Sequence, residues 1–234
     1  MATFDVVIPT SKNIEETHFS ICYTLRSILA QSIQPQNIYV VENVPNTGVK
    51  EHINRSFGNL VKVIDGLNKP INIAYARNLG AKMSQSDILV FMDDDVIIGR
   101  NDFCQKVIEI MKYNDFCCGA KRFWTTTEWH KYLSLSFQMN HNLQILKSKS
   151  FLPQSIERST GNKNCSEFTY IGNFGAIKKD VFNSLEGFDE NYEGWLYQDT
   201  DLIMRLCVNN YKYEILAYTD IFCYHLGHCL LYTS

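Results

Sequence analysis

The sequence predicts an α/β protein built on a mainly parallel, doubly wound sheet, and three observations carry that prediction. Residues 1–95 alternate short β-branched runs with helix-period patterns, the beat of strands joined by crossover helices. The chain has 234 residues, 45% of them hydrophobic and 20% charged, which excludes disordered and collagen-like classes. Polar and acidic residues gather just past the apolar strands, where open α/β sheets bind their ligands.

The elements follow in order. Phe4–Ile8 reads as the first strand, and the helix after it places Ile21, Leu25, Ile28 and Leu29 on one face. The strand Ile38–Val41, a short helix around Val49 and Ile53, the strand Val61–Ile64, a helix over 74–83 and the strand Ile88–Met92 continue the beat. Pro9-Thr10-Ser11, Glu42-Asn43, Asp65-Gly66 and Asp93-Asp94-Asp95 lie at the ends of these strands. Beyond residue 100 the pattern gives a helix over 103–112, a strand over 116–121 and a helix over 129–146. Residues 147–166 are polar and carry Pro153 and Gly161, a loop of the length that serves as a lid or binding loop. A strand over 168–177, a short helix from Lys179, turns over 186–194, a helix over 198–209 and strands over 213–217 and 221–224 complete the chain. No repeat or interdomain linker interrupts it, so one domain is expected over 1–234.

A net charge of −3 supplies no global basic field, which argues against a nucleic-acid partner. No stretch reaches the ~20 apolar residues a membrane helix needs; Glu214, Asp220, His225 and His228 break the C-terminal apolar region. Met1 leads straight into a strand pattern without a basic leader, so a cytoplasmic protein is expected, with at most peripheral membrane contact. The eight cysteines include no C-x-x-C pair, which gives no zinc ribbon or thioredoxin motif. A core of this size buries roughly 70–75% of the unfolded surface and needs no disulfide staple, so buried reduced thiols are expected.

Three consecutive carboxylates, Asp93-Asp94-Asp95, follow the strand Ile88–Met92. Like charges at a buried strand end repel unless a positive group sits there. A hard divalent cation shared with substrate phosphates would satisfy them; an acidic turn open to water is the competing reading. Further on, Asp199 and Asp201 fall in the first turn of a helix, where the helix dipole stabilises carboxylates.

With these, several segments occur in one order: Val6–Thr10, Leu25–Ser32, Tyr39–Asn43, Ala76–Gly80, Phe91–Asp95, Gly187–Glu190, and Gln198–Leu202 through Arg205-Leu206 to His225. Each alone is weak, but together they span most of the chain, and the sequence resembles the family 2 glycosyltransferases of GT-A fold. The resemblance implies a nucleotide-binding half over about 1–98 and an acceptor-binding half over about 99–234. It implies an inverting transferase that uses a divalent metal, Mn²⁺ or Mg²⁺, and a nucleoside-diphosphate sugar, UDP-linked as the first expectation. The acceptor would be a hydroxyl of a saccharide or lipid-linked glycan. A peptide or protein acceptor, an inactive nucleotide-sugar-binding scaffold and a nucleotidyltransferase stay open as alternatives, although the loop Pro9–Asn13 lacks the glycines the last of these would show.

Residue roles follow from the same resemblance. Pro9, Thr10, Glu42 and Asn43 would cradle base and ribose, although two aspartates are common at the latter pair. Asp93 and Asp94 would meet the ribose and Asp95 the metal. Arg77 would line the donor site, where a guanidinium neutralises phosphate, against the alternative of a surface arginine beside Asn78. Asp199 would be the catalytic base, taking the acceptor proton; family members commonly carry Glu before it, where this chain has Gln198. His225 would complete the metal site, more naturally for Mn²⁺ than for Mg²⁺, or else be a buried hydrogen-bonded histidine. A separate His225/His228/Cys229 soft-metal cluster lacks a fourth ligand at useful spacing. Trp195, Gln198, Asn173 and Gly175 are the expected acceptor-site residues, with core packing an equal alternative for Trp195.

Overall fold

Phe4–Thr10 forms β1; all seven residues are buried, and six of them are apolar or β-branched, Asp5 being the exception. Strands buried on both faces show such runs instead of polar alternation. The computed structural model describes residues 2–44, 46–66, 71–135, 139–151, 174–192, 197–216 and 219–227. After β1 come α1 (Ser20–Leu29), β2 (Asn37–Glu42), α2 (Val49–Phe57), β3 (Lys62–Asp65), α3 (Ile73–Met83) and β4 (Ile88–Met92). Then follow β5 (Val96–Ile98), α4 (Phe103–Met111), β6 (Phe116–Cys118), β7 (Lys121–Trp124), α5 (Met139–Lys149), β8 (Phe174–Lys178) and α6 (Lys179–Ser184). The last elements are α7 (Gln198–Val208), β9 (Tyr213–Ile215) and β10 (Phe222–His225).

The large sheet has the order β3-β2-β1-β4-β8-β6-β9. β1 pairs in parallel with β2 and β4, and β2 with β3. β8 runs antiparallel to both neighbours, β4 and β6, so the sheet is mainly parallel, as expected. Side-chain alternation divides the core between the two faces. Val6, Ile8, Val40 and Val90 pack with α1 and α4 through Leu25, Ile28, Phe103 and Val107. Val7, Tyr39, Leu89 and Phe91 pack with α3, α6 and α7 through Ala74, Phe182, Leu202 and Leu206. α3 approaches closely because residue 80 is glycine: a Cβ there would lie 2.4 Å from Val7 Cγ1. The Asn72 side chain caps the same helix by accepting from the Tyr75 N–H.

The chain reverses its direction of strand addition after β3, because β4 returns to the other side of β1. The crevice between the carboxyl ends of β1 and β4 is therefore the topological switch point, where ligands of such sheets bind.

A second sheet of three strands, β5-β10-β7, corrects the expected C-terminal half. The expected strand over 116–121 is two strands, broken at Gly119, whose φ of 69° leaves the β region. β6 stays in the large sheet and β7 joins the small one. The expected helix over 129–146 is a 3₁₀ turn at Trp129–Lys131 followed by α5. That helix continues to Lys149, and Phe151 pairs with Trp124, so the expected loop over 147–166 starts later than its composition suggested. Residues 152–173, the rest of that loop and the start of the expected strand over 168–177, lie outside the described residues.

Candidate active site

Three strand ends and one helix start converge at the switch point. The Thr10 hydroxyl, at the end of β1, donates to Asp94 Oδ2 at 2.6 Å across the crevice. The Thr24 hydroxyl of α1 donates to the Asp94 carbonyl at 3.1 Å. These bonds, one on each side of Asp94, fix the acidic turn after β4, and Asp94 and Asp95 are only 5% and 3% exposed. Asp95 leads directly into β5, whose antiparallel partner β10 sets His225 opposite Val96. The Leu226 N–H donates to the Asp95 carbonyl at 2.9 Å, and His225 Nε2 lies 3.4 Å from Asp95 Oδ1. Trp124 packs on the other side of the imidazole with ring centroids 4.3 Å apart.

Arg77 of α3 joins two motifs that are far apart in sequence. The residue is 2% exposed; its guanidinium donates to Asp93 Oδ1 at 3.2 Å and to Asp199 Oδ1 as well. The Phe188 ring sits 5.2 Å beneath it, a cation–π contact that shields the charge from water. Asn78, the next residue, donates to the Phe188 carbonyl at 2.8 Å and to Glu190 Oε1 at 2.9 Å, and accepts the Phe188 N–H at 2.9 Å. Asp201 is used differently from Asp199: it holds Arg205, whose guanidinium also donates to the Leu185 and Gly187 carbonyls. The pair of aspartates at the start of α7 thus faces two arginines, with Asp199 turned toward the Asp93–Asp95 cluster. Burial pushes the Asp93 carboxyl up, and Arg77 pulls against it.

Lys12, two residues beyond β1, is the group that sequence reasoning missed. Its ammonium lies 2.8 Å from Asp95 Oδ2 and 3.0 Å from Asp94 Oδ1. Burial alone would lower its pKa, but the two carboxylates overcome that and raise it well above the usual lysine range. The available signal was a lysine in the same strand-end loop as Thr10, opposite a triplet of aspartates.

At the end of β2 the two expected residues part. Glu42 accepts from the Thr47 hydroxyl and, at 3.2 Å, from the Thr47 N–H, so its carboxylate closes its own loop. Asn43 is 1% exposed, and neither atom of its side-chain amide has a hydrogen-bond partner among the described residues. A fully buried, unsatisfied carboxamide is rare in a protein at rest. The Gln198 Oε1 atom is also buried and has no partner among the described residues. Pro9 is buried within β1 beside Val41. Gly175 sits within β8, in register with Phe91 and Cys118. Trp195, Asn173, His228 and Cys229 lie outside the described residues.

Residues 5–185 match the family described as Glycosyl transferase family 2. The chain belongs to that family. Residues 156–228 also match one described as the N-terminal domain of galactosyltransferase. No curated protein matches the chain. Among solved structures it is similar to the mannosyltransferase PcManGT from Pyrobaculum calidifontis in complex with GDP-Man and Mn²⁺, with TM-score 0.65, 15% identity, and 99% of this chain and 59% of that one covered. It is similar to S. aureus TarS in complex with UDP, with TM-score 0.63, 14% identity, and 96% and 60% covered. It is also similar to GalNAc-T7 with UDP, GalNAc and Mn²⁺, with TM-score 0.66, 16% identity, and 97% and 44% covered. The fold is that of the GT-A glycosyltransferases, and the chain spans 44–60% of the length of these three structures.

The residues present fit the divalent ion that this family's fold implies. Two ligand atoms each about 2.1 Å from one cation, at roughly a right angle, lie about 3 Å apart, and Asp95 Oδ1 and His225 Nε2 are 3.4 Å apart. Among the described residues no third His, Cys, Asp or Glu joins them. A cavity of about 710 Å³ lined by Phe123, Leu143, Phe222 and Tyr224 contains none of these residues.

Proposed function

We propose that the chain is an inverting, divalent-metal-dependent glycosyltransferase that moves a sugar from a nucleoside-diphosphate donor to a hydroxyl of a saccharide or lipid-linked glycan. The observation that carries this reading is the Arg77 bridge. It brings Asp93, of the acidic turn, and Asp199, at the start of α7, to one guanidinium, so donor-side and acceptor-side carboxylates share one crevice.

In this reading the base of the donor lies against Asn43, whose carboxamide offers one donor and one acceptor to a base edge. Asp93 and Asp94 meet the ribose, and Asp95 and His225 would hold the metal, which when bound would neutralise charge on the leaving diphosphate. Arg77 acts on carboxylates: it fixes Asp199 beside the acidic turn and offsets the repulsion among Asp93, Asp95 and Asp199. Asp199 takes the proton of the acceptor hydroxyl as the new bond to the anomeric carbon forms and the bond to the diphosphate oxygen breaks. Attack from the side opposite the leaving group inverts the anomeric centre. Gln198, and the undescribed Trp195 and Asn173, are proposed for the acceptor side. UDP is the first donor to test, since two of the three similar structures hold it.

Nucleoside diphosphate release in the presence of Mn²⁺, UDP- or GDP-sugars and a panel of saccharide and glycolipid acceptors tests the proposal. Acceptor-dependent release that Asp199→Asn lowers by about 10²–10⁴, with nucleotide binding kept, supports it. Nucleotide binding without release by the unaltered chain, with any acceptor or with water, contradicts it in favour of a scaffold.

A further inference from the structure

We propose that Lys12 is a resident counter-ion of the Asp94–Asp95 pair that a divalent cation must displace. Metal binding by the free protein is then weak, and metal and nucleotide enter as a coupled pair. The inference rests on the reading of Asp95 and His225 as metal residues and concerns a group outside that set.

Lys12 meets the two aspartates as an ion pair. Its ammonium contacts one oxygen of each carboxylate, at 3.0 Å to Asp94 and 2.8 Å to Asp95. Lys12 keeps 24% of its side-chain exposure, against 7% for Asp94 and 5% for Asp95. The two carboxylates are therefore shut in with this cation. The other Asp94 oxygen is taken by Thr10 at 2.6 Å, and Asp95 Oδ1 faces His225. A divalent ion drawn to Asp95 and His225 thus meets a carboxylate that already holds a positive charge a few ångströms away, and two cations at that spacing repel.

An ammonium on a four-carbon stem can change partners with little loss, because it is a compact charge with rotatable donors and no fixed fork. The diphosphate supplies the alternative partner. When it arrives, Lys12 can leave Asp95 for a phosphate oxygen while the carboxylate passes to the metal. The handover leaves the ammonium and the carboxylate each facing an opposite charge. Reciprocity of linkage then requires that nucleotide tighten metal binding as much as metal tightens nucleotide binding.

Electron paramagnetic resonance of free Mn²⁺ tests this on the full chain without nucleotide, and then with UDP or GDP. Lys12→Met keeps the stem and removes the charge; Lys12→Gln is a second neutral variant should the first fail to fold, and Lys12→Arg keeps the charge. The expected result is a Mn²⁺ affinity at least ten-fold tighter in the neutral variants than in the unaltered chain or the Arg variant, a gain that disappears when Asp95→Ala is added. The enhancement of Mn²⁺ affinity by nucleotide should shrink in the same neutral variants. Unchanged or weaker Mn²⁺ binding in a folded neutral variant overturns the inference, and so does a gain that survives Asp95→Ala. If the unaltered chain binds nucleotide with Mn²⁺ while the neutral variants show no gain, Lys12 alone has been misread. If the gain is present but no nucleotide binds, the counter-ion role stands and the donor-site reading falls.

Discussion

At the residue scale the site is a balance of buried charges, and Arg77 is its pivot. Lysine at position 77 could reach one carboxylate but not grip Asp93 and Asp199 as a fork does. Arg77→Met leaves both carboxylates facing one another, with an expected stability loss of roughly 3 kcal/mol, as when one partner of a buried pair is removed. A urea titration measures it, and a loss under about 0.5 kcal/mol, the range of an ordinary surface substitution, would contradict the geometry. The cysteines give a second residue-scale expectation. Burial pushes the thiols of Cys104, Cys117 and Cys223 up to about 12, so they stay protonated at neutral pH and weakly nucleophilic. Mass spectrometry after brief iodoacetamide treatment at pH 8 should find these three unmodified in the folded chain and modified in denaturant. The acidic triplet was legible in the sequence because its residues are consecutive. The partners of Arg77 were not, since they lie 16 and 122 positions away and only the fold brings them together. Lys12 escaped for the same reason: its carboxylate partners are 82 and 83 positions away.

At the scale of elements, helix α3 supplies both the fork and its placement. Gly80 lets the helix lie on β1 and β2, with Val41 Cγ2 at 3.2 Å and Val7 Cγ1 at 2.4 Å from an added Cβ. Gly80→Ala should therefore cost about 1–3 kcal/mol as an overpacked core, despite alanine's better helix propensity, and should lower nucleotide affinity by displacing Arg77. A stabilised variant in thermal unfolding would show that α3 tolerates the shift. On the far side of the sheet Asp115 clasps three strands, receiving hydrogen bonds at 2.9 Å from the Lys178 ammonium and the Lys212 N–H. Burial alone would raise its pKa, but these bonds hold it below the usual carboxylate range. Its stabilisation is thus present above the unfolded value of about 3.9 and lost as pH falls through the folded value. Asp115→Asn should cost about 1–2 kcal/mol near pH 7, with the difference from the unaltered chain shrinking as pH falls through the folded value; a constant difference across pH would contradict the clasp.

β1, β2 and β4 were legible because each is a buried, largely apolar run, and helices of matching period separate the first four strands. β5 and β7 were not, being three and four residues long and defined only by pairing with β10. The break at Gly119 was visible as a glycine but not as a change of sheet. The 3₁₀ turn and α5 were fused into one helix because the apolar spacing runs across both.

At the scale of the molecule, the fold sets a crevice at the carboxyl ends of β1 and β4 and closes it with the small sheet, which places His225 against Asp95. The family was legible because its segments recur in order along most of the chain. Base, sugar and acceptor were not, because they depend on loop geometry that residue identity alone does not specify; Glu42, for example, is turned to Thr47, while the Asn43 carboxamide has no hydrogen-bond partner among the described residues. Among the described residues no helix is long and apolar enough to cross a membrane.

Titration calorimetry of the full chain with UDP, GDP, CDP and dTDP, each with Mn²⁺ and with chelator, alongside Asp95→Ala, tests the donor site most directly. The account predicts that one nucleotide binds, and that chelator or loss of the Asp95 carboxylate weakens it at least ten-fold. Absence of binding by all four with Mn²⁺ present, or binding indifferent to both metal and Asp95, would contradict it.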